Sequence, residues 1–466
     1  MTSSTNPTRP RVLIVGGGFA GVACARRLER VLKADEADIV LVTPLDYGLY
    51  LPLLPQVAAG VLTPQSVAVS LRRVLRRTRI VPGTALGVDL DSRECVVRLI
   101  TDQEVREGYD IVVLASGSVT RSFDIPGVPE TAHGMKNLAE AVAMRDHVIA
   151  QLDLADAAVC PAERDARLRF VVVGGGYAGT ETAAHLQRLT VAATYHYPGL
   201  IRQSIEWHLV DVSPRLMPEL GPRLGDKALA RLRRRGIEVS LGVSVASAGP
   251  GWVELTDGRR LPTHTLVWTA GVAASPLVAS TGAKTVRGRL AVTAELTLPG
   301  HDEVFAVGDA AAVPDLAAGG DAICPPTAQH ALRQGRTAGN NIVARLRGRS
   351  LSQYRHRDLG LVVDLGGLGS VARPLGIPLS GLPAQLVTRG YHLLALPTLV
   401  ARIRVATNWM LHAVAGDDFV RTGFLAGQPS TTRAMEHTDA YLTVDEIHAA
   451  ADSEKSARTR QAPRAS

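Results

Sequence analysis

Two glycine-rich turns, each following a short apolar run, constrain the fold of this chain more than any other feature. Residues 11–25 read RVLIVGGGFAGVACA, and residues 169–186 read RFVVVGGGYAGTETAAHL. Both contain the spacing G-x-G-x-x-G between a strand-like run and a helix-like run, with glycines at Gly16, Gly18 and Gly21, and at Gly174, Gly176 and Gly179. The first glycine permits a tight turn, the second lets the backbone approach a pyrophosphate, and the third permits close helix packing. Because the helix N-terminus then faces the anion, each turn predicts a dinucleotide site.

The elements around the two turns follow the same order. Apolar runs at 38–43, 109–115, 206–210, 264–272 and 303–309 predict strands, and 20–32, 136–152 and 327–347 predict helices. The polar stretch 153–168 is interpreted as a linker or helix end. Residues 170–272 thus repeat the plan of the front of the chain, which indicates an internal duplication.

The predicted fold class is therefore α/β, with two Rossmann-like dinucleotide-binding domains, the second inserted in the first. We expect a discontinuous first domain at 1–125 and 300–355 and a second domain at 126–299. A C-terminal region of different character follows at 356–430, and 431–466 has the composition of a flexible tail.

Composition excludes several classes of protein. Aromatic residues make up only 4% of the 466 residues, which argues against a nucleic-acid partner that stacks bases. The net charge of +7 comes partly from 71–79, 231–235 and 455–466, and we interpret the first two as exposed helix faces. The four cysteines form no C-x-x-C pair, so we expect a reducing compartment, no disulfide framework and no metal site. We expect neither a signal peptide nor a membrane-spanning helix.

A carboxylate that binds ribose is expected about 20 residues beyond each glycine turn, where the second strand ends. Asp211 fits this position in the second unit, and its charge favours NADH over a 2′-phosphorylated cofactor. In the first unit Thr43 stands there instead, with Asp46 three residues further on. Either the hydroxyl of Thr43 or the carboxylate of Asp46, reaching back, could bind the ribose in this unit. Two dinucleotides on one chain indicate a flavin that accepts hydride from a nicotinamide.

The sequence resembles the type II NADH dehydrogenases, the single-subunit, FAD-dependent NADH:quinone oxidoreductases of the two-dinucleotide flavoprotein superfamily. The resemblance covers about residues 11–430. It is carried, in the family's order, by YGLYLPLLPQVAAG (47–60), GYDIVVLASGS (108–118), FDIPGV (123–128), GGGYAGTETA (174–183), LVDVSPRLMPELGPRL (209–224), LVWTAGV (266–272), VFAVGDAA (304–311) and PPTAQHALRQG (325–335).

The resemblance implies that the first turn binds FAD and the second binds NADH. The FAD residues would be Gly16, Gly17, Gly18, Gly21, Thr43, Ala115, Gly117, Gly308 and Asp309, with Asp309 on the ribityl and phosphate region. The NADH residues would be Gly174, Gly176, Gly179, Asp211 and Gly271. Thr43 departs from the acidic residue that most of the family has at that position.

The resemblance also implies three catalytic candidates. Glu181 would lie near the flavin–nicotinamide contact and take part in protonating quinone; the simpler interpretation is a glutamate that complements the helix dipole. Gln329 would hydrogen-bond a quinone carbonyl, and Gln334 matches a later glutamine of the same motif. Both are otherwise ordinary helix glutamines, and His330 is more readily interpreted as a packed histidine than as a proton donor.

Residues 365–416 contain no Asp or Glu but hold Arg373, Arg389, Arg402 and Arg404. With the apolar runs 391–400 and 405–414 and with Trp409, this segment is typical of an interfacial helix on an anionic lipid surface. A homodimer interface is the alternative. A lipid-soluble quinone substrate agrees with a peripheral enzyme on the cytoplasmic side of the cell membrane.

The sequence thus predicts hydride transfer from NADH to bound flavin and electron transfer to a membrane quinone, without proton pumping. Three alternatives remain open at this point: a soluble NADH:acceptor flavin reductase, a non-catalytic FAD/NADH-binding redox sensor, and a sulfide:quinone oxidoreductase, which would use separated cysteines such as Cys160 and Cys324.

Overall fold

The computed structural model describes residues 9–121, 123–201, 203–356 and 359–421. The predicted tail at 431–466 lies outside the described residues, as do residues 422–430 of the predicted C-terminal region.

The first glycine turn belongs to the larger of the two sheets that carry a glycine turn, and this sheet is mixed, with parallel pairings at its centre and antiparallel pairings at both edges. In the described part of the chain this sheet has eight strands, in the spatial order Thr297–Leu298, His301–Ala306, Ile111–Leu114, Arg11–Val15, Asp38–Thr43, Arg79–Asp89, Glu94–Leu99 and Glu104–Gly108. The pairings from His301–Ala306 to Arg79–Asp89 are parallel. The three central strands Ile111–Leu114, Arg11–Val15 and Asp38–Thr43 consist mostly of apolar residues because they are buried within the fold.

The second glycine turn belongs to a five-stranded sheet among the described residues. Its order is Ala132–His133, Thr265–Trp268, Arg169–Val173, Glu206–Asp211 and Ile237–Leu241, and every pairing is parallel. The larger sheet takes strands from both segments of the predicted first domain, which is the arrangement of an inserted second domain. It also takes Thr297–Leu298, which the predicted boundary at 300 had left in the second domain.

The helices begin and end close to the predicted positions, with one clear exception. The main helices are Phe19–Val31, Leu138–Asp156, Pro161–Arg167, Tyr177–Ala193, Pro222–Arg234, Ala328–Leu346, Leu382–Ala395 and Leu399–Ala415. The stretch 153–168 contains the end of Leu138–Asp156, as one of its two interpretations predicted, and the helix Pro161–Arg167, so its interpretation as a linker was wrong. A capping box between Asn137 and Glu140 starts the long helix, and buried Ala155, Ala166 and Leu168 hold the polar stretch against the core.

A two-stranded ribbon joins the two domains beside the sheet ends. Ser118–Thr120 pairs antiparallel with Val272–Ala274. Ser118–Thr120 follows the carboxyl end of Ile111–Leu114, and Val272–Ala274 follows the carboxyl end of Thr265–Trp268. The ribbon therefore brings together the ends of the two sheets at which an α/β fold binds its ligands.

The C-terminal region consists of a small antiparallel sheet, with strands Val362–Val363, Val371–Ala372 and Leu379–Ser380, and two helices. We call Leu382–Ala395 and Leu399–Ala415 the C-terminal helices. Among the described residues, no helix is both long and apolar enough to cross a membrane. The C-terminal helices expose many large apolar side chains: Leu382, Leu386, Leu394, Leu399, Val400, Ile403, Met410, Leu411 and Val414.

Trp409 does not belong to that exposed face. Its side chain is buried, and its indole Nε1 donates to Gln56 Oε1 at 2.7 Å. The expectation that Trp409 marks a membrane interface was therefore wrong. The indole N–H explains its position, because a buried donor of this kind requires a partner inside the protein.

Candidate functional site: two matched loops and a buried acidic pair

A cavity of about 370 Å³ opens at the first glycine turn. Apart from Gly21, every residue predicted to bind FAD lines it: Gly16, Gly17, Gly18, Thr43, Ala115, Gly117, Gly308 and Asp309. These residues come from the ends of three neighbouring strands of the larger sheet and from the turn after a fourth. The sequence prediction therefore identified one continuous surface.

The geometry of the first turn explains its glycines. Gly16 has φ +114°, and a Cβ there would lie 2.2 Å from the carbonyl oxygen of Ala115. A Cβ on Gly21 would lie 1.9 Å from the carbonyl oxygen of Gly16. A Cβ on Gly18 would have no atom within 4 Å. Gly16 and Gly21 are thus required by the fold, whereas Gly18 keeps the approach to the backbone open for a ligand.

The second turn repeats this geometry. Gly174 has φ +113°, and a Cβ there would lie 2.7 Å from Thr269 Oγ1. A Cβ on Gly179 would lie 1.9 Å from the carbonyl oxygen of Gly174, while one on Gly176 would have no atom within 4 Å. Two loops that leave the same position open fit a pyrophosphate in the same way.

The loops differ in the side chain at the end of the second strand. Asp211 Oδ1 accepts from Ser213 N at 2.6 Å, and Asp211 Oδ2 accepts from Gly175 N within the turn. This places a carboxylate directly beside the second loop, as predicted.

In the first unit Thr43 is buried, and its Oγ1 is engaged with the backbone of Leu45, accepting from its N–H at 3.3 Å. A Cβ on Gly17 would lie only 2.5 Å from this oxygen, so Thr43 closes the space under the loop. Asp46 is exposed and is not among the residues that line the cavity, so its carboxylate does not reach back as one alternative required.

Asp309 is held by a chain of polar side chains that sequence reasoning missed. Ser118 Oγ donates to Asp309 Oδ2 at 2.6 Å, and Lys136 Nζ donates to Ser118 Oγ at 2.8 Å. Burial lowers the pKa of Lys136, although Asp309 and Glu140 oppose the shift. The available signal was slight: a single lysine directly before the helix cap Asn137.

Glu181 lies on the helix of the second loop, Tyr177–Ala193, and only 8% of its surface is exposed. Its Oε1 accepts from the backbone N–H of Asp364 at 2.7 Å. Burial raises the pKa of Glu181 well above its usual value; the hydrogen bond from the Asp364 N–H opposes this rise, and the neighbouring Asp364 carboxyl adds to it. The raised pKa makes the side chain a candidate proton donor.

Asp364 is the second residue that the sequence did not reveal. Its carboxylate is buried and accepts from Gln56 Nε2 at 3.0 Å and from Gly366 N at 2.8 Å. Trp409 donates to the same Gln56. A continuous set of hydrogen bonds thus runs from a C-terminal helix to Glu181.

Arg235 also departs from expectation. The stretch 231–235 was interpreted as an exposed helix face, but the Arg235 guanidinium turns inward and donates to Gln187 Oε1 at 2.6 Å and to backbone carbonyls of Ala184 and Leu365. Burial, together with nearby Arg188 and Arg231, lowers its pKa to about 10. The residue ties the helix of the second loop to the C-terminal region.

The two glutamine candidates have different surroundings. Gln329 Nε2 donates to the carbonyl oxygen of Gly360 at 2.9 Å, while its Oε1 is buried and has no hydrogen-bond partner among the described residues. Gln334 is 2% exposed, and its Oε1 accepts from Gly308 N at 2.8 Å. Gln329 therefore has an unused acceptor, whereas Gln334 supports the turn that carries Asp309. His330 is buried and contacts Tyr354 through Nδ1 at 3.0 Å, as a packed histidine would.

Gly271 lies in the turn before the ribbon that joins the domains. Its φ is +83°, and a Cβ there would lie 3.3 Å from the ring of Phe123. It is therefore placed between the two sheets, although it does not line the first cavity.

The cysteines offer no reactive pair. Cys24, Cys95 and Cys324 are buried, and Cys160 is exposed on the turn before Pro161–Arg167. Burial raises the pKa of Cys324 to about 11, which disfavours the thiolate that sulfur chemistry needs. No cluster of three His, Cys, Asp or Glu side chains suited to a metal ion occurs among the described residues.

Comparison with known proteins gives these features a family. The family model for pyridine nucleotide-disulphide oxidoreductases matches residues 10–335. A type II NADH:quinone oxidoreductase of Mycobacterium tuberculosis is 30% identical over 461 residues, which is 95% of this chain and 93% of the relative. The chain belongs to the type II NADH:quinone oxidoreductases, within the pyridine nucleotide-disulphide oxidoreductase family.

Other relatives of this type II family agree. A second Mycobacterium tuberculosis type II NADH:quinone oxidoreductase is 29% identical and covers 86% of this chain and 88% of its own length. The solved structure of NDH2 from Plasmodium falciparum in complex with NADH has a TM-score of 0.81 at 17% identity, covering 88% of this chain and all of that one. This likeness concerns the fold, and it confirms the predicted fold class. The family resemblance read from the sequence is confirmed as well.

Proposed function

We propose that this protein oxidises NADH and reduces a membrane quinone by way of bound FAD. The proposal of this overall reaction rests on the membership of the chain in the type II family. The structural observation that supports it is the pair of matched glycine loops, one on each sheet, with the carboxyl ends of the two sheets joined by the Ser118–Thr120 and Val272–Ala274 ribbon. Two loops of this kind serve two dinucleotides that must exchange a hydride.

The cavity at the first loop fits FAD. The open position at Gly18 would receive the pyrophosphate, with Gly16, Gly17 and Gly21 shaping the turn. Asp309, held by Ser118, would accept from the sugar-alcohol hydroxyls, and the buried Lys136 would place positive charge beside them. FAD supplies the capacity to accept a hydride and pass on electrons. Thr43 occupies the position at which a ribose-binding carboxylate was expected.

The second loop fits NADH. Gly176 leaves room for the pyrophosphate, Gly174 and Gly179 form the turn, and Asp211 would accept from the ribose hydroxyls. The Asp211 carboxylate would repel a 2′-phosphate, so NADH is preferred to NADPH. Gly271 gives the nicotinamide end space between the two sheets.

Two side chains serve the quinone. Glu181, kept protonated by burial, supplies a proton toward the reduced quinone, and the Asp364 backbone N–H fixes its orientation. The free Oε1 of Gln329 accepts a hydrogen bond from the quinol hydroxyl. Gln334 acts by position, because it holds the Gly308–Asp309 turn and not the substrate.

The C-terminal helices provide the membrane contact in this proposal. Their leucines, isoleucine, valines and methionine are exposed on a segment without acidic residues. Through such a face a peripheral protein binds an anionic lipid surface from the cytoplasmic side. The quinone is dissolved in that membrane. Burial of the same face in a homodimer is the competing use.

Anaerobic rapid mixing tests the proposal. NADH should bleach the flavin absorbance of the purified protein, and a menaquinone or ubiquinone analogue should restore it. Bleaching without restoration by any quinone would indicate a soluble NADH:acceptor reductase, and absence of bleaching would indicate a redox sensor. Replacing exposed Leu386, Leu394, Leu411 and Val414 by serine should abolish vesicle binding but leave reduction by NADH intact, because these side chains lie outside the core. Retained vesicle binding would exclude the assigned contact surface.

A further inference from the structure

A second, larger groove of about 670 Å³ lies beside the flavin cavity. It runs along Phe19–Val31, between that helix, Ala328–Leu346 and the connection between the C-terminal helices. It meets the flavin cavity only at Gly18, Phe19 and Leu49. We call it the arginine groove.

Four arginines line this groove: Arg26, Arg27, Arg30 and Arg336. Arg27 Nε donates to Asn340 Oδ1. Arg26, Arg30 and Arg336 are exposed, and within the part of the chain that the structure describes their side chains have no ion pair or hydrogen bond. Three unneutralised guanidinium groups on one concave surface create a strong preference for an anion.

The one carboxylate in the groove does not neutralise them. Glu29 Oε1 accepts from Arg77 N and Thr78 N, each at 2.8 Å, and from Thr78 Oγ1 at 2.7 Å. Its oxygens are thus committed to the chain segment that follows Leu71–Val74, and the groove keeps an excess of positive charge.

The flavin phosphates cannot be the anion. Arg26 and Arg30 follow Gly18 by eight and twelve residues, which at the rise of an α-helix corresponds to roughly 12 and 18 Å along the helix axis. A pyrophosphate held at Gly18 therefore lies out of reach of both. Quinone is uncharged and gives no reason for three unpaired arginines either.

The groove is apolar on the side that faces the C-terminal helices. Leu49, Leu71, Val74 and Leu332 line it, together with Ala395 and Pro397 from the connection between those helices. Leu394 and Leu399, on either side of this connection, are 74% and 69% exposed. The cationic end of the groove is thus continuous with the exposed apolar face.

We propose that the arginine groove binds the headgroup of an anionic phospholipid, with its acyl chains passing over Ala395 and Pro397 onto the apolar face. This inference builds on the membrane contact in the proposed function and adds a defined headgroup site outside the C-terminal region. The phosphodiester pairs with Arg26, Arg30 and Arg336, since guanidinium groups match phosphate geometry. The site would hold the enzyme in one orientation on the membrane.

The test uses the full-length flavoprotein and vesicles of phosphatidylcholine, with and without phosphatidylglycerol, in a co-sedimentation assay. The variant combines Arg26→Gln, Arg30→Gln and Arg336→Gln. A matched control combines Lys284→Gln, Arg287→Gln and Arg349→Gln, which removes the same charge from exposed positions outside the groove. Since each arginine near an anionic surface contributes about 1 kcal/mol, the groove variant should lose affinity for phosphatidylglycerol vesicles by on the order of 100-fold.

The groove variant should bind pure phosphatidylcholine vesicles with the same affinity as the wild type. The control variant's loss of affinity for phosphatidylglycerol vesicles should be less than about a tenth of the groove variant's loss. Equal loss in both variants would mean that only net charge matters and would overturn the site. Full competition by soluble glycerol 3-phosphate would assign the groove to a soluble anion, which also overturns it. Flavin content and NADH oxidation with a water-soluble quinone show whether the variant is folded and whether the proposed function itself holds.

Discussion

Glu181 accepts a hydrogen bond of 2.7 Å from the backbone N–H of Asp364, a residue 183 positions further along the chain. This contact joins the helix of the second glycine loop to the C-terminal region. Through the Asp364 carboxylate it continues to Gln56 and Trp409. The region that is proposed to meet the membrane therefore fixes the carboxyl group that is proposed to protonate the substrate.

The substitution Glu181→Gln tests this role. It keeps an oxygen that can accept from Asp364 N but removes the transferable proton. We expect reoxidation of the reduced flavin by quinone to slow by about 100-fold, while flavin reduction by NADH changes by less than about 3-fold. Stopped-flow absorbance separates the two half-reactions. Unchanged quinone turnover would rule out Glu181 as the proton source.

The raised pKa of Glu181 also predicts a pH dependence of stability. Its folded-state pKa lies above the ordinary value of 4.5, so the unfolded chain loses the proton at a lower pH than the folded protein does. The stabilising contribution is complete below pH 4.5 and is lost as pH rises through the folded-state pKa. The melting temperature of the wild type should therefore fall relative to that of Glu181→Gln across this interval. Parallel curves for the two proteins would contradict the shift.

Substitutions at two glycines of the second loop distinguish an effect on NADH binding from an effect on folding. Gly176→Ala places a methyl group where no atom lies within 4 Å, so the melting temperature should not change. The methyl group would block the backbone from the NADH pyrophosphate, and loss of a charge-assisted hydrogen bond there should weaken NADH binding by about 10-fold or more. Gly179→Ala is the contrasting variant, because its Cβ would lie 1.9 Å from the Gly174 carbonyl oxygen. It should lower stability by about 1–3 kcal/mol. Equal NADH affinity in Gly176→Ala and wild type would contradict the assigned loop.

Asp211 should set the choice of nicotinamide cofactor. In Asp211→Asn the negative charge is gone, and one of the two backbone donors, Ser213 N or Gly175 N, loses its acceptor. The ratio between the two cofactors is therefore the quantity to measure, because a local change in the loop affects both. The ratio of kcat/KM for NADH to that for NADPH should fall by at least about 10-fold, since a like-charge repulsion of several kcal/mol is removed. Steady-state kinetics with a water-soluble quinone measures it. Thr43→Ser, at the equivalent strand end of the first loop, should leave the ratio unchanged.

His392 predicts an acid limit to stability. It is buried, its Nδ1 lies 3.0 Å from Tyr50 Oη, and burial lowers its pKa to about 4 from an ordinary 6.5 despite the opposing Asp364 charge. The folded protein thus resists protonation that the unfolded chain accepts, and stability is lost as pH falls from 6.5 to about 4. The shift corresponds to about 3 kcal/mol. Between these pH values, chemical unfolding of His392→Gln should show a loss of unfolding free energy that is smaller than the wild-type loss by about that amount. Identical pH profiles for the two proteins would refute the lowered pKa of His392.

Much of the site could be predicted because it is local in sequence. The glycine spacing, the strands before each turn and the acid at Asp211 lie within single βαβ units, so their geometry follows from backbone constraints on a few dozen residues. The family resemblance extended this to Asp309, Glu181 and Gln329. The same reasoning failed where a side chain's surroundings come from elsewhere: Trp409 is typical of an interface by composition, yet its indole N–H is buried on Gln56.

Two dinucleotide folds, the glycine positions of their loops and the family of the chain could all be predicted from the residues in order. The three-dimensional contacts were needed to see that Lys136 and Ser118 support Asp309, that Gln334 supports Gly308, and that Asp364 orients Glu181. Those contacts join residues 18 to 191 positions apart and follow no periodicity. They exist because the fold buries polar groups together, and a buried polar group must find its partner wherever the chain brings one.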